Sequence, residues 1–237
     1  MHERLLIATF TPLTIPFIMK KTLLLLSSAF MTHFALAQPE FGVILGGQAT
    51  WASYSTPEIN LGKTQQDTKM KFGFQAGGTA RMQFEGKLFF SPAVFYSMKG
   101  YKVSFTRPSF PPDSFAPDND VTLHTFEIAP LFQYNFSEAD HHFFVKAGPS
   151  IDVQLFGKEK FNRSTGGSVN RNMKFSYGDY GRFGANLILQ LGYETSSGLI
   201  IFGHYSHGIG SIVNTDNGPR IFHRAAGISI GKYFNRK

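Results

Sequence analysis

The side chains that could do chemistry in this sequence are a few histidines, serines and carboxylates, and their spacing argues against most of the chemistry they suggest. His204, His207 and His223 are the metal candidates. Residues three apart on a strand face opposite sides, so His204 and His207 cannot share an ion. His204 and His223 could meet only if both point inward on neighbouring strands. His141-His142 are adjacent and diverge, as a solvated pair would. Asp118-Asn119-Asp120 offers oxygen donors but lacks the glycine and distal glutamate of a calcium loop. Ser206 and His207 are adjacent and point apart, and Ser211 falls in a loop, so no nucleophile–base–acid set forms. Gly46-Gly47, Gly77-Gly78 and Gly166-Gly167 precede no helix and so are not phosphate loops. No catalytic residue, metal ligand or cofactor is expected.

What remains is a set of charges, Arg81, Glu85, Glu127, Lys146, Asp152 and Glu194, and these gain meaning from the segments that carry them. In Phe143 to Phe156 every second residue is apolar or proline (Phe143, Val145, Ala147, Pro149, Ile151, Val153, Leu155), and the others include Lys146, Ser150, Asp152 and Gln154. That is strand alternation, with no helical stripe. Segments 72–85, 122–136 and 182–194 repeat it, placing Arg81 and Glu85, Glu127, and Glu194 on their polar faces. Segments 41–51, 87–98, 199–210 and 222–234 complete a set of eight. The sequence leaves open which face of 87–98 and of 199–210 is the outer one, since both are apolar.

Each segment is about 10–14 residues long. A tilted strand needs roughly 9–11 to cross a bilayer, whereas strands of soluble proteins average about 5–6. The connections alternate. Stretches 52–71, 99–121, 157–181 and 211–221 are long; the turn at Gly86, 137–142 and Thr195 to Gly198 are short. Short turns on one side and long loops on the other are the habit of outer-membrane barrels. The expected fold is all-β: an eight-stranded antiparallel up-and-down transmembrane barrel over 38–237. The loops 99–121 and 157–181, rich in proline, glycine and polar residues, are expected not to pack a core.

The remaining features fit this reading. Met19-Lys20-Lys21, the apolar run Thr22 to Phe34 and Ala35-Leu36-Ala37 have the order of a secretion signal cleaved after Ala37. Residues 1–18, with Pro12 and Pro16, read as a start assigned too early. No apolar run after Ala37 is long enough for a membrane helix. Charged residues are 16% of the chain and Phe alone numbers 26, against roughly 25% charged in ordinary soluble domains. The net charge of +7 is scattered, so nucleic acid is not the expected partner; anionic lipid headgroups are. The absence of cysteine removes any thiol or disulfide chemistry.

Eight strands enclose a space that side chains just fill. Arg81, Glu85, Glu127, Lys146, Asp152 and Glu194 are therefore expected to form an internal network of paired charges, with Gln75, Gln133, Gln154 and Gln190 as hydrogen-bonding fillers. A packed polar plug is expected over a pore or proton path. The alternatives are a small porin for ions or small solutes, a rim-sited lipid-modifying enzyme, and a soluble lipocalin-like barrel with its apolar faces inside.

Over residues 41–234 the sequence resembles the outer-membrane β-barrel family of Bacteroidetes that includes PorT. The resemblance rests on Phe41-Gly42-Val43, Phe72-Gly73-Phe74-Gln75-Ala76-Gly77, Ser91-Pro92-Ala93-Val94-Phe95-Tyr96-Ser97 with Lys99-Gly100, and Glu127-Ile128-Ala129-Pro130-Leu131. It continues through Phe144-Val145-Lys146-Ala147-Gly148-Pro149, Leu191-Gly192-Tyr193-Glu194, Tyr205-Ser206-His207-Gly208 and the closing Ile228 to Phe234. Unlike the family's pattern, Asn235-Arg236-Lys237 follow the terminal aromatic. The resemblance implies a barrel in the outer membrane, with lipid and other envelope or secretion proteins as partners through its external loops. It implies no particular ligand, because fold does not fix function.

Overall fold

In the computed structural model, which describes residues 38–58, 62–106, 110–176, 178–213, 215 and 218–234, the alternating segments are strands. The expected early start, the secretion signal and Asn235-Arg236-Lys237 lie outside the described residues. The elements are β1 (Glu40–Glu58), β2 (Gly62–Gln65), β3 (Asp67–Glu85), β4 (Leu88–Phe90), β5 (Ala93–Ser104), β6 (Asp118–Ala129), β7 (Phe132–Asn135), β8 (His142–Asn162), β9 (Ser168–Asn172), β10 (Phe183–Glu194), β11 (Leu199–Gly208) and β12 (Arg220–Tyr233).

All pairings between these strands are antiparallel, and they close on themselves. β1 pairs with β12 and with β3; β3 with β4 and β5; β4 with β7 and β5 with β6. β6 and β7 both pair with β8, β8 with β10, β10 with β11, and β11 with β12. Pro92 separates β4 from β5, and Pro130 interrupts the run from β6 to β7. Counting each split pair as one stave gives an eight-stranded barrel. Closure satisfies the edge groups that a bilayer could not. Gly86 and Gly198, at φ of 52° and 79°, permit two of the three short turns.

The outer wall is apolar. Phe41, Val43, Leu45, Phe74, Ile128, Phe143, Leu187, Leu189, Ile201 and Ile230 are exposed, and Phe72 is 80% exposed. The structure settles the two ambiguous segments. On β5, Ala93, Phe95, Ser97 and Lys99 point inward; on β11, Ile200, Phe202, His204 and Ser206 do.

Two expectations fail. The stretch 52–71 is largely strand and 99–121 and 157–181 are partly so, because β1 runs to Glu58, β3 starts at Asp67, β5 runs to Ser104, β6 starts at Asp118 and β8 runs to Asn162. The barrel therefore continues well past the length a bilayer requires. These stretches also pack a core: Tyr54, Tyr101, Val103, Val121, Phe161 and Tyr180 belong to one buried apolar cluster. Apolar alternation persists beneath their polar outer residues, as at Tyr101, Val103 and Phe105.

Candidate functional site

The lumen is the part of the molecule where charge is concentrated against physical cost, so it is the first place to seek function. Arg81, Glu127, Lys146, Asp152 and Glu194 are all buried. Glu85 is not among them. It is exposed, as are Gln83 and Phe84 before it: burial stops alternating after Arg81 as β3 nears the Gly86 turn, where the register with β4 also shifts. Gln75, Gln133, Gln154 and Gln190 are buried.

The five buried residues fall into separate groups. At the turn end, Arg81 lies between two glutamates, with Nε 3.1 Å from Glu40 Oε2 and Nη2 3.0 Å from Glu194 Oε1. Its guanidinium lies 4.4 Å from the centre of the Tyr233 ring. Lys146 is nearby, and its ammonium donates to the Tyr233 hydroxyl at 2.9 Å. Midway along the lumen, Glu127 and Asp152 share a cation that sequence reasoning missed, Lys99: Nζ is 3.2 Å from Asp152 Oδ2 and ion-pairs with Glu127. The expected single network is thus two clusters, completed by Lys99 and Glu40. Lys99 shares the parity of Phe95 and Ser97 on β5 and lies one residue past the expected segment 87–98. Glu40 stood one residue before the expected first strand.

Small residues make room for the central cluster. A Cβ at Gly184 would sit 2.0 Å from Asp152 Oδ1. Around the triad, Gln48 donates to Ser97 Oγ at 2.9 Å, Gln75 to Ser229 Oγ at 3.0 Å, and Asn186 to Ser150 Oγ at 3.2 Å. Between Gln48, Gln75, Lys99, Glu127 and His204 a cavity of about 10 Å³ remains, about the space of one water. Toward the turn end Ile44, Phe95, Leu131, Phe144 and Phe202 fill the lumen with apolar side chains.

At the loop end the apolar cap encloses one more ionic group. Glu159 accepts from Arg171 Nε at 2.6 Å and from the Tyr180 hydroxyl at 2.9 Å. Burial, with Tyr101 and Glu159 close by, pushes the Tyr180 phenol well above its ordinary pKa, so it stays a neutral donor. The loop before β6 closes over this cap. The Pro111 carbonyl accepts from the Tyr54 hydroxyl at 3.0 Å, and the Pro112 carbonyl accepts from Arg171 at 2.7 Å.

The histidines do not assemble. His204 and His223 are both buried inside, on neighbouring strands; His204 Nδ1 is 3.1 Å from Ser229 Oγ, and His223 packs on Tyr101 with ring centres 5.4 Å apart. His207 is on the outer wall, where Nδ1 meets the Tyr205 hydroxyl at 3.0 Å. Ser206 faces the lumen, away from His207. Among the described residues, no group of three or more His, Asp or Glu is placed to hold a metal ion.

Residues 28–214 match a family model described as outer membrane protein beta-barrel domain. Solved structures with a similar course of the chain include Ail, the attachment invasion locus protein of Yersinia pestis, at 14% identity over 83% of this chain and 99% of that one, TM-score 0.43. OprG of Pseudomonas aeruginosa aligns at 13% identity over 83% and 97%, TM-score 0.44. Neisserial surface protein A aligns at 13% identity over 81% and 97%, TM-score 0.37. No curated protein matches the sequence.

Proposed function

The chain belongs to the outer membrane protein beta-barrel domain family, and from that premise we propose that it is a closed, non-enzymatic barrel that works through its external surface as a structural, secretion-accessory or surface-interaction protein. The narrower placement beside PorT in Bacteroidetes, and the removal of a secretion signal after Ala37, belong to the same proposal.

The observation that carries it is the filling of the lumen at successive levels. Arg81 with Glu40 and Glu194 fills the turn end, the Lys99–Glu127–Asp152 cluster the middle, and the Tyr54, Tyr101 and Phe161 cap the loop end. A solute passing through would have to displace buried ion pairs and an apolar core. Against a rim enzyme, Ser206 and His207 face opposite sides of the wall, and Ser211 Oγ accepts the backbone N–H groups of Val213 and Ile221 at 3.2 Å each. That is a turn-forming role.

Conductance across a planar bilayer tests the reading, using protein extracted folded from outer membranes. The expected trace is silent. Reproducible stepwise conductance overturns the closed-barrel proposal in favour of a small porin.

A further inference from the structure

Above the apolar outer wall, four adjacent strands align their charges in one row. Lys69 on β3 stands directly opposite Lys102 on β5; Lys102 is opposite Asp120 on β6; Asp120 is opposite Lys160 on β8. Like charges directly opposed across a strand pair are destabilising, yet Lys69 and Lys102 are so placed. Two residues lower, Lys158 faces Thr122, and Lys71 reaches past Gly100 to ion-pair with Asp120 and donate to Thr122 Oγ1 at 2.7 Å.

The acids nearby offset this row only in part. Asp120 is already shared by Lys71 and Lys102, the latter at 3.2 Å. Asp118 accepts the backbone N–H and the side-chain amide of Asn162 at 2.8 and 2.7 Å. Among the described residues no carboxylate pairs with Lys69 or Lys160. The row borders a cavity of about 310 Å³ whose lining includes Lys69, Lys102, Asp118, Asp120, Lys160 and Asn162.

Position identifies the occupant. Immediately below, the outer wall carries Tyr96, Met98, His124 and Phe156, with His124 and Phe156 stacked at 4.3 Å and Tyr96 and His124 at 5.8 Å. Aromatic girdles of this kind mark the membrane–water interface of barrels, and below them lie the exposed Val94, Ile128 and Ile151. Lys102 is four residues beyond Met98, roughly 13 Å along the strand, which puts the lysines at the height of outer-leaflet headgroups.

We propose that Lys69, Lys102 and Lys160 form a site for the phosphate groups of an outer-leaflet lipid headgroup. The lipid sits with its chains against Tyr96, Met98 and Phe156, and its phosphate relieves the opposed lysines. The proposal rests on the outer-membrane placement and is independent of whether the lumen conducts.

The test uses protein extracted folded from outer membranes into detergent. Micelles are doped with lipid A bearing its phosphates, or with the same lipid A after its phosphates are removed. Retained lipid is counted by native mass spectrometry. Tighter retention of the phosphorylated form, on the order of ten- to a hundred-fold, is expected. Lys69→Gln/Lys102→Gln/Lys160→Gln should remove that preference, while Arg224→Gln on β12 should keep it. Heat-dependent mobility on a gel establishes that each variant is folded. Equal retention of both lipids by the unaltered protein overturns the proposal without any variant, and so does an unchanged preference in the triple variant. If inorganic phosphate at millimolar concentration displaces the lipid completely, the site is an anion site and the lipid assignment fails. If the protein is absent from the outer-membrane fraction, the premise fails instead.

Discussion

Midway along the lumen, β5, β6 and β8 present Lys99, Glu127 and Asp152 to one another, whereas toward the loop end the same three strands present Tyr101, Leu123 and Phe161. Lys99 and Tyr101 stand only two positions apart on β5. Both layers fill a narrow ring, but they are specified differently. The charged layer depends on partners: each group is tolerable only while the others neutralise it. The apolar layer depends on volume, and any side chain of the right size serves.

The largest effect should come from breaking the charged layer at its one cation. Lys99→Met leaves Glu127 and Asp152 buried and facing each other, at an expected cost of about 3–5 kcal/mol. Urea unfolding of the folded protein in detergent micelles would read this as a lower midpoint. Adding Glu127→Gln and Asp152→Asn removes both orphaned charges and should recover most of the loss. If Lys99→Met alone costs less than about 1 kcal/mol, partner dependence does not distinguish the two layers.

The apolar layer should respond to size instead of partners. Leu123, fully buried in the cap, replaced by Ala is expected to cost about 3 kcal/mol by transfer and cavity formation. Leu123→Met, nearly equal in volume, should cost under about 1.5 kcal/mol. The same unfolding midpoints decide it. Equal losses from Ala and Met would mean that shape, not volume, sets this layer.

The comparison also shows what the sequence could and could not convey. Period-two alternation in 72–85, 122–136, 143–156 and 182–194 was enough to place those strands, because one wall faces lipid and the other faces the lumen. Alternation could not say which inward charges meet, since pairing depends on which strands lie across the ring. Lys99 of β5 reaches Asp152 of β8 with β6 between them, so spacing along the chain carries no sign of the contact. Glu85 has the parity of an inward residue and fails because it lies past Arg81 at the turn end of β3, where burial no longer alternates and Gln83 is exposed as well. The cap was missed for a different reason. Pro111, Pro112 and the run Arg163 to Ser168 read as loop, and all but Ser168 are, but Tyr54, Tyr101 and Phe161 continue the inward pattern around them.

The smallest effect concerns how the cap is held shut. Asp113 lies in the loop that covers it; its carboxylate accepts the Phe115 N–H at 3.0 Å and pairs with Arg163 Nε at 3.1 Å. The Phe115 bond, assisted by Arg163, holds the Asp113 carboxyl below its ordinary pKa. A carboxyl depressed in the folded state stabilises above its unfolded pKa, about 3.9, and the contribution is lost as pH falls through the folded value. Asp113→Asn should therefore cost a little stability at pH 7, under about 1 kcal/mol because Arg163 is largely solvated. That gap should close as the pH drops below the carboxylate range. Unfolding midpoints of both proteins at pH 7 and pH 3 measure it. A gap of the same size at both values would mean that the loop is held by its backbone contacts to Tyr54 and Arg171, with the Asp113 charge contributing nothing.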